Sequence, residues 1–120
     1  MKVAITSQGP DLASPVDPRF GRAKYFVVAD TQTGEFAAHD NAQNVTAIQG
    51  AGIQAGRNVV ELGAEAIVTG HIGPNAFRTL QAAGLKVYVG AQGTVGEALE
   101  ALKAGRLQSV GKPDVEAHWT

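Results

Sequence analysis

The chain has 120 residues, 44% hydrophobic and 18% charged, with ten Lys and Arg against eleven Asp and Glu. A chain of this length buries roughly two-thirds of its unfolded surface and can build one core unaided, while a net charge of -1 lacks the broad basic surface that non-specific nucleic-acid binding requires. With no cysteine present, disulfides, thiolate zinc sites, cysteine-ligated iron-sulfur clusters and thiol nucleophiles are excluded.

The opening MKVAITS is too short and too alternating for a secretory h-region, and no apolar run nears the roughly 20 residues of a membrane span, so a cytoplasmic protein without membrane partners is expected. Lys2 to Thr6 predicts a first strand, stopped by Ser7, Gly9 and Pro10. Residues 7–22 contain three prolines and two glycines and have no apolar periodicity. A connection of that length favours a functional role. Tyr25 to Asp30 and Glu35 to Asp40 flank TQTG, whose Gly34 suits a tight turn, and predict an antiparallel hairpin.

From Thr46 to Leu62 the apolar period becomes helical, with Ile53 and Val60 forming a second stripe that predicts a helix covered on two sides. Ala66 to Thr69 reads as a short buried strand of a parallel sheet, and Gly73-Pro74 opens a helix carrying Phe77 and Leu80 inward. Lys86 to Val89 is a further strand. Thr94 with Glu97 forms a capping box for the last helix, which ends at Gly105. The domain is expected to span residues 1–110, with 111–120 a polar and partly mobile tail.

The order β-β-β-α-β-α-β-α predicts an α/β protein with a five-stranded mixed sheet, three helices and right-handed parallel crossovers. By analogy it matches the ribonuclease H-like arrangement, in which the first strand lies centrally beside the fourth. Ligands of such sheets settle beyond the C-terminal ends of the parallel strands, where the strand order reverses. The 7–22 loop, the turn Gly70-His71-Ile72-Gly73 and the turn Gly90-Ala91-Gln92-Gly93 all converge there. Both turns have the form G-x-x-G, lie twenty residues apart and pass into helices. Glycine turns at a positive dipole end favour an anion, although each taken singly is also an ordinary tight connection.

Three cations, Arg19, Arg22 and Lys24, fall within six residues of the loop. The fork of arginine donors suits a multi-oxygen or multi-sulfur dianion; a solvated loop with Asp17 paired to an arginine is the alternative. His71 is placed to bind a metal, to donate to an anion or to cap a helix. Asn75 either points into the same pocket or bonds the local backbone. His39 is expected at the surface, and His118 and Trp119 in the tail. No metal-ligand set is assigned. Nor is a catalytic residue: the first strand lacks the carboxylate a two-metal nuclease needs, Glu61 and Glu65 lie at the opposite end of the sheet, and no Walker lysine, G-x-S-x-G elbow or metal-spaced His pair occurs.

MKVAITS, VDPRFGRAKYFVV and GHIGPNAFRTLQAAGLKVYVG together resemble the dinitrogenase iron-molybdenum cofactor biosynthesis family over residues 1 to about 105. That family includes nitrogenase cofactor carriers and orange protein-like carriers of molybdenum-copper sulfide clusters. The resemblance implies a non-enzymatic carrier of a molybdenum-sulfur cluster, with copper or as an iron-molybdenum cofactor precursor, held non-covalently. Metallocluster assembly proteins, an ATPase among them, are the implied partners, and a monomer or weak dimer the expected state. The alternative is a protein-interaction module that regulates such an ATPase without a cluster.

The cofactor-binding candidates are Arg19, Phe20, Gly21, Arg22, Gly70, His71, Ile72, Gly73, Asn75 and Gly93. Many relatives have cysteine after the histidine, where this chain has Ile72. A cargo here is then gripped as a preformed anion that brings its own sulfur.

Overall fold

The computed structural model describes residues 1–41 and 51–114. Its elements are β1 (Lys2–Ser7), β2 (Tyr25–Asp30), β3 (Phe36–Asp40), α1 (Ala51–Glu61), β4 (Ala66–Val68), α2 (Pro74–Ala82), β5 (Lys86–Tyr88) and α3 (Val95–Lys103). They follow the predicted order. The part of the first predicted helix before residue 51 and the tail residues His118 and Trp119 lie outside the described residues.

The strands form one sheet in the order β3-β2-β1-β4-β5, so β1 is central and borders β4, as the analogy anticipates. β1 pairs antiparallel with β2 and parallel with β4, and β5 adds parallel to β4. The β2–β3 hairpin turns where Gly34 takes φ 79°, and its amide donates to the Asp30 carbonyl at 2.9 Å. Asp30 Oδ1 accepts the amides of Gln32 at 2.8 Å and Thr33 at 3.3 Å. These bonds hold the Asp30 carboxyl below its ordinary value.

Alternation along β1 divides the core between the two faces of the sheet. Ala4, Phe26, Val28, Ile67 and Val87 face Ala55 and Val59 of α1 and Phe77 and Leu80 of α2. Val3, Ile5, Val27 and Val68 face Val95, Ala98 and Leu99 of α3. Each fully buried large aliphatic contributes about 1.5–3 kcal/mol. Gly56 lets α1 approach α2, since a Cβ there would lie 2.9 Å from Thr79 Cγ2. The second stripe of α1 departs from expectation. Val60 is 37% exposed, beside Thr79, Ala82 and Ala83 at the end of α2.

Candidate functional site

The long loop is anchored by polar bonds at the C-terminal ends of β1 and β4. Asp17 N donates to the Thr6 carbonyl at 2.9 Å, and the Thr6 hydroxyl donates back to the Asp17 carbonyl at 2.6 Å. The Thr6 and Thr69 hydroxyls, both fully buried, pair at 2.9 Å. His71 N donates to the Pro18 carbonyl at 2.8 Å, and the backbones of Arg19 and His71 run parallel in a single β-bridge. Asp17 and Pro18 therefore fill the notch between β1 and β4. Beside them a rim reaches solvent, where Arg19 is exposed and the His71 side chain partly so.

Gly70 makes this closure possible by size alone. A Cβ at Gly70 would lie 2.7 Å from Pro18 Cα and 2.9 Å from its carbonyl oxygen. No flexible side-chain end is there to yield. Phe20 then turns back into the protein, fully buried, with its ring centroid 5.4 Å from that of Phe26. Earlier in the same loop, Val16 packs on the opposite face of the sheet. The loop thus straddles the C-terminal end of the central strands, with Val16 in one core and Phe20 in the other.

The two glycine turns have different surroundings. At the start of α3, Val95 N donates to the Ser14 carbonyl at 2.9 Å and Gly96 N to the Leu12 carbonyl at 2.8 Å. Glu97 N donates to Thr94 Oγ1 at 3.1 Å, and Thr94 N to Glu97 Oε1 at 3.0 Å, completing the capping box. The first amides of α3 are thus satisfied by protein acceptors. Gly93 serves the turn itself, at φ 79° and with Glu97 Oε1 2.8 Å from where a Cβ would sit. At the start of α2, Gly73 gives no side-chain cap and Pro74 has no N–H.

A carboxylate from the C-terminal segment lies against that second turn. Asp114 Oδ1 accepts the Ile72 amide at 2.6 Å, Asp114 Oδ2 lies 2.9 Å from His71 Nδ1, and Asp114 N donates to the Ile72 carbonyl at 3.1 Å. The carboxylate favours the ring form that carries its proton on Nδ1. Asp114, within the segment read as a tail from residue 111, thus lies against the rim. Sequence reasoning missed Asp114, and GKPD offers no spacing that would have found it.

The other candidates divide by exposure. Arg19 is exposed and Arg22 half-buried, with its Nε inside the protein. Gly21, Gly70 and Gly73 are buried backbone positions. Ile72 is fully buried in the α1–α2 core, so only its backbone faces the rim. Asn75 Oδ1 accepts from Arg78 Nη2 at 2.9 Å along the surface of α2, an arrangement neither sequence alternative described. Asp17 Oδ1 accepts the Arg19 amide at 3.0 Å. Burial pushes the Asp17 carboxyl up, against the opposing pull of that amide and of the Arg19 and Lys24 charges.

Two concavities lie on the hairpin side of the molecule. One, of about 540 Å³, is lined by His39, Asp40, Asn58, Glu61 and neighbours; the other, of about 340 Å³, by Lys2, Asp30, Glu35, Phe36 and neighbours. Neither touches the rim. Among the described residues, no group of three or more His, Cys, Asp or Glu gathers to hold a metal ion, and no helix is long and apolar enough to cross a membrane.

The sequence model of the dinitrogenase iron-molybdenum cofactor family matches residues 1–105. The chain belongs to this family. It is 40% identical to the orange protein of Desulfovibrio gigas, solved in its apo form, with a TM-score of 0.92 over 95% of this chain and 96% of that one. It is 42% identical to a Thermotoga protein described as a candidate NifB protein, with a TM-score of 0.79 over 90% and 91% of the two chains. An uncharacterised protein of Methanocaldococcus jannaschii is 25% identical over 81% of this chain and 88% of its own. As a member of the dinitrogenase iron-molybdenum cofactor family, the chain has its mixed sheet and three helices in common with these solved structures.

Proposed function

We propose that the chain is a non-enzymatic carrier that binds an anionic molybdenum-sulfur cluster, with copper or iron, at the rim formed by residues 19–24 and 70–73, and passes it between metallocluster assembly proteins. The observation that carries this reading is the β-bridge that sets Arg19 beside His71, with Arg22 and Lys24 following in the same loop. Two relatives support it: one is described as a candidate NifB protein and the other as an apo form, a term that presupposes a loaded one.

The donor set suits cargo that is already complete. Guanidinium, imidazole and backbone N–H groups form charge-assisted bonds to the oxygens or sulfurs of an anion, and the chain has no thiolate to contribute. The cluster is then gripped by its outer atoms and leaves without breaking a protein-metal bond.

Anaerobic titration with tetrathiomolybdate, with and without Cu(I), followed by visible absorption and gel filtration, tests the reading. Expected are shifted bands and co-elution of colour with protein; unchanged bands and free elution of the anion overturn it. Arg19→Ala, Arg22→Ala and His71→Ala should each weaken retention by about 1.5–3 kcal/mol, or roughly tenfold to a hundredfold. If all three bind like wild type, the cargo sits elsewhere.

A further inference from the structure

We propose that residues 109–114 form a strap that closes the 70–73 turn, with Asp114 as a built-in anion that cargo must displace. The inference rests on the carrier reading above and specifies how its site is controlled. Ser109 forms a β-bridge with Tyr88, and Val110 N donates to the Val87 carbonyl at 2.8 Å, so the strap starts from β5. It ends at Asp114, whose carboxylate takes the Ile72 amide and faces His71 Nδ1. These are donors the turn would otherwise direct at a bound anion. The rim therefore holds a carboxylate of its own.

The strap is lightly held between its ends. Gly111 and Lys112 are exposed and Pro113 is only half-buried, while the paired His71 and Asp114 side chains remain 44% and 28% exposed. A segment with few buried apolar contacts and solvent-reachable hydrogen bonds opens at low free-energy cost. A multivalent anion that also engages Arg19 has more favourable contacts at the rim than the single carboxylate. Its apparent affinity is lowered by the fraction of molecules in which the strap is open, and removing the carboxylate lifts that reduction.

Asp114→Ala should bind tetrathiomolybdate, with or without Cu(I), about tenfold more tightly than wild type if the strap is closed in about nine molecules in ten. Asp114→Asn, which keeps an acceptor for the Ile72 amide but no charge, should fall between them. In amide spectra of the wild-type protein, cargo should shift the Ile72 and Asp114 signals together and speed hydrogen exchange at Asp114. An unchanged thermal midpoint in both variants shows that the fold is retained. If wild type binds and Asp114→Ala binds equally or more weakly, or Asp114 stays protected in the loaded protein, the strap is refuted while the carrier reading stands. If neither wild type nor variant binds, both fall.

Discussion

The turns at 70–73 and 90–93 share a sequence form, a preceding parallel strand and a following nine-residue helix, yet they differ in what meets their donors. The later turn is sealed. Carbonyls of Leu12 and Ser14 cover the first amides of α3, and the Thr94 capping box takes the next. The earlier turn has no side-chain cap and borders Arg19 on one side and a carboxylate on the other. Two glycine turns of one sequence form thus meet different partners, backbone carbonyls and a cap at one and a carboxylate side chain at the other. That difference depends on contacts remote in sequence.

The sharpest way to break the contrast is to loosen the segment that creates it. Phe20→Ala removes a fully buried ring from the α1–α2 core and should cost about 3–5 kcal/mol in denaturant unfolding. At denaturant concentrations where the variant is still folded, tetrathiomolybdate retention should fall with it, because Phe20 holds Arg19 at the rim. Normal retention would show that the loop is positioned by Asp17 and Pro18 alone.

Gly70→Ala should destabilise by about 1–3 kcal/mol, because the new Cβ presses on the Pro18 backbone, and should weaken retention as loop and turn separate. Gly90→Ala, at φ 80° with no atom within 4 Å of its Cβ, should cost about 1 kcal/mol through backbone strain and leave retention unchanged. Equal effects on retention would erase the distinction between the turns.

Thr94→Ala should cost about 1 kcal/mol by removing the α3 cap, again without changing retention, as thermal unfolding and gel filtration would establish. A loss of retention would make α3 part of the site.

The smallest effect concerns Asp17. Its folded-state value lies above the ordinary 3.8, so the native protein binds more protons than the unfolded chain between the two values. Stability should therefore fall as pH rises from about 4 through the raised folded value, then level off. Asp17→Asn keeps an acceptor for the Arg19 amide and lacks this titration. Its stability relative to wild type should rise across the same window, read from denaturation midpoints between about pH 3 and about pH 7. A flat difference would mean that Asp17 is solvated as in the unfolded chain.

Local patterns carried most of the fold. Alternation in YFVVAD, the TQTG turn, the Thr94–Glu97 box and the glycine stops depend on neighbours a few residues apart, and the elements formed where those patterns stand. The site was legible only as a list of segments. DPRFGR and GHIG were recognisable, but Phe20 and Asn75 look as available in sequence as Arg19 and His71 do. Their side chains are placed by a core contact with Phe26 and by Arg78 on the same helix.

By itself, then, the sequence determined an α/β order, a cysteine-free donor set and the cationic loop, because composition and short-range periodicity need no partner. Tertiary structure decided which glycine turn is sealed, that Gly70 is needed for close approach, and that Asp114 returns to the turn. Those outcomes depend on which distant groups satisfy a buried or half-buried donor, and hydrogen bonds spanning 42 residues from Asp114 to Ile72 leave no periodicity to read.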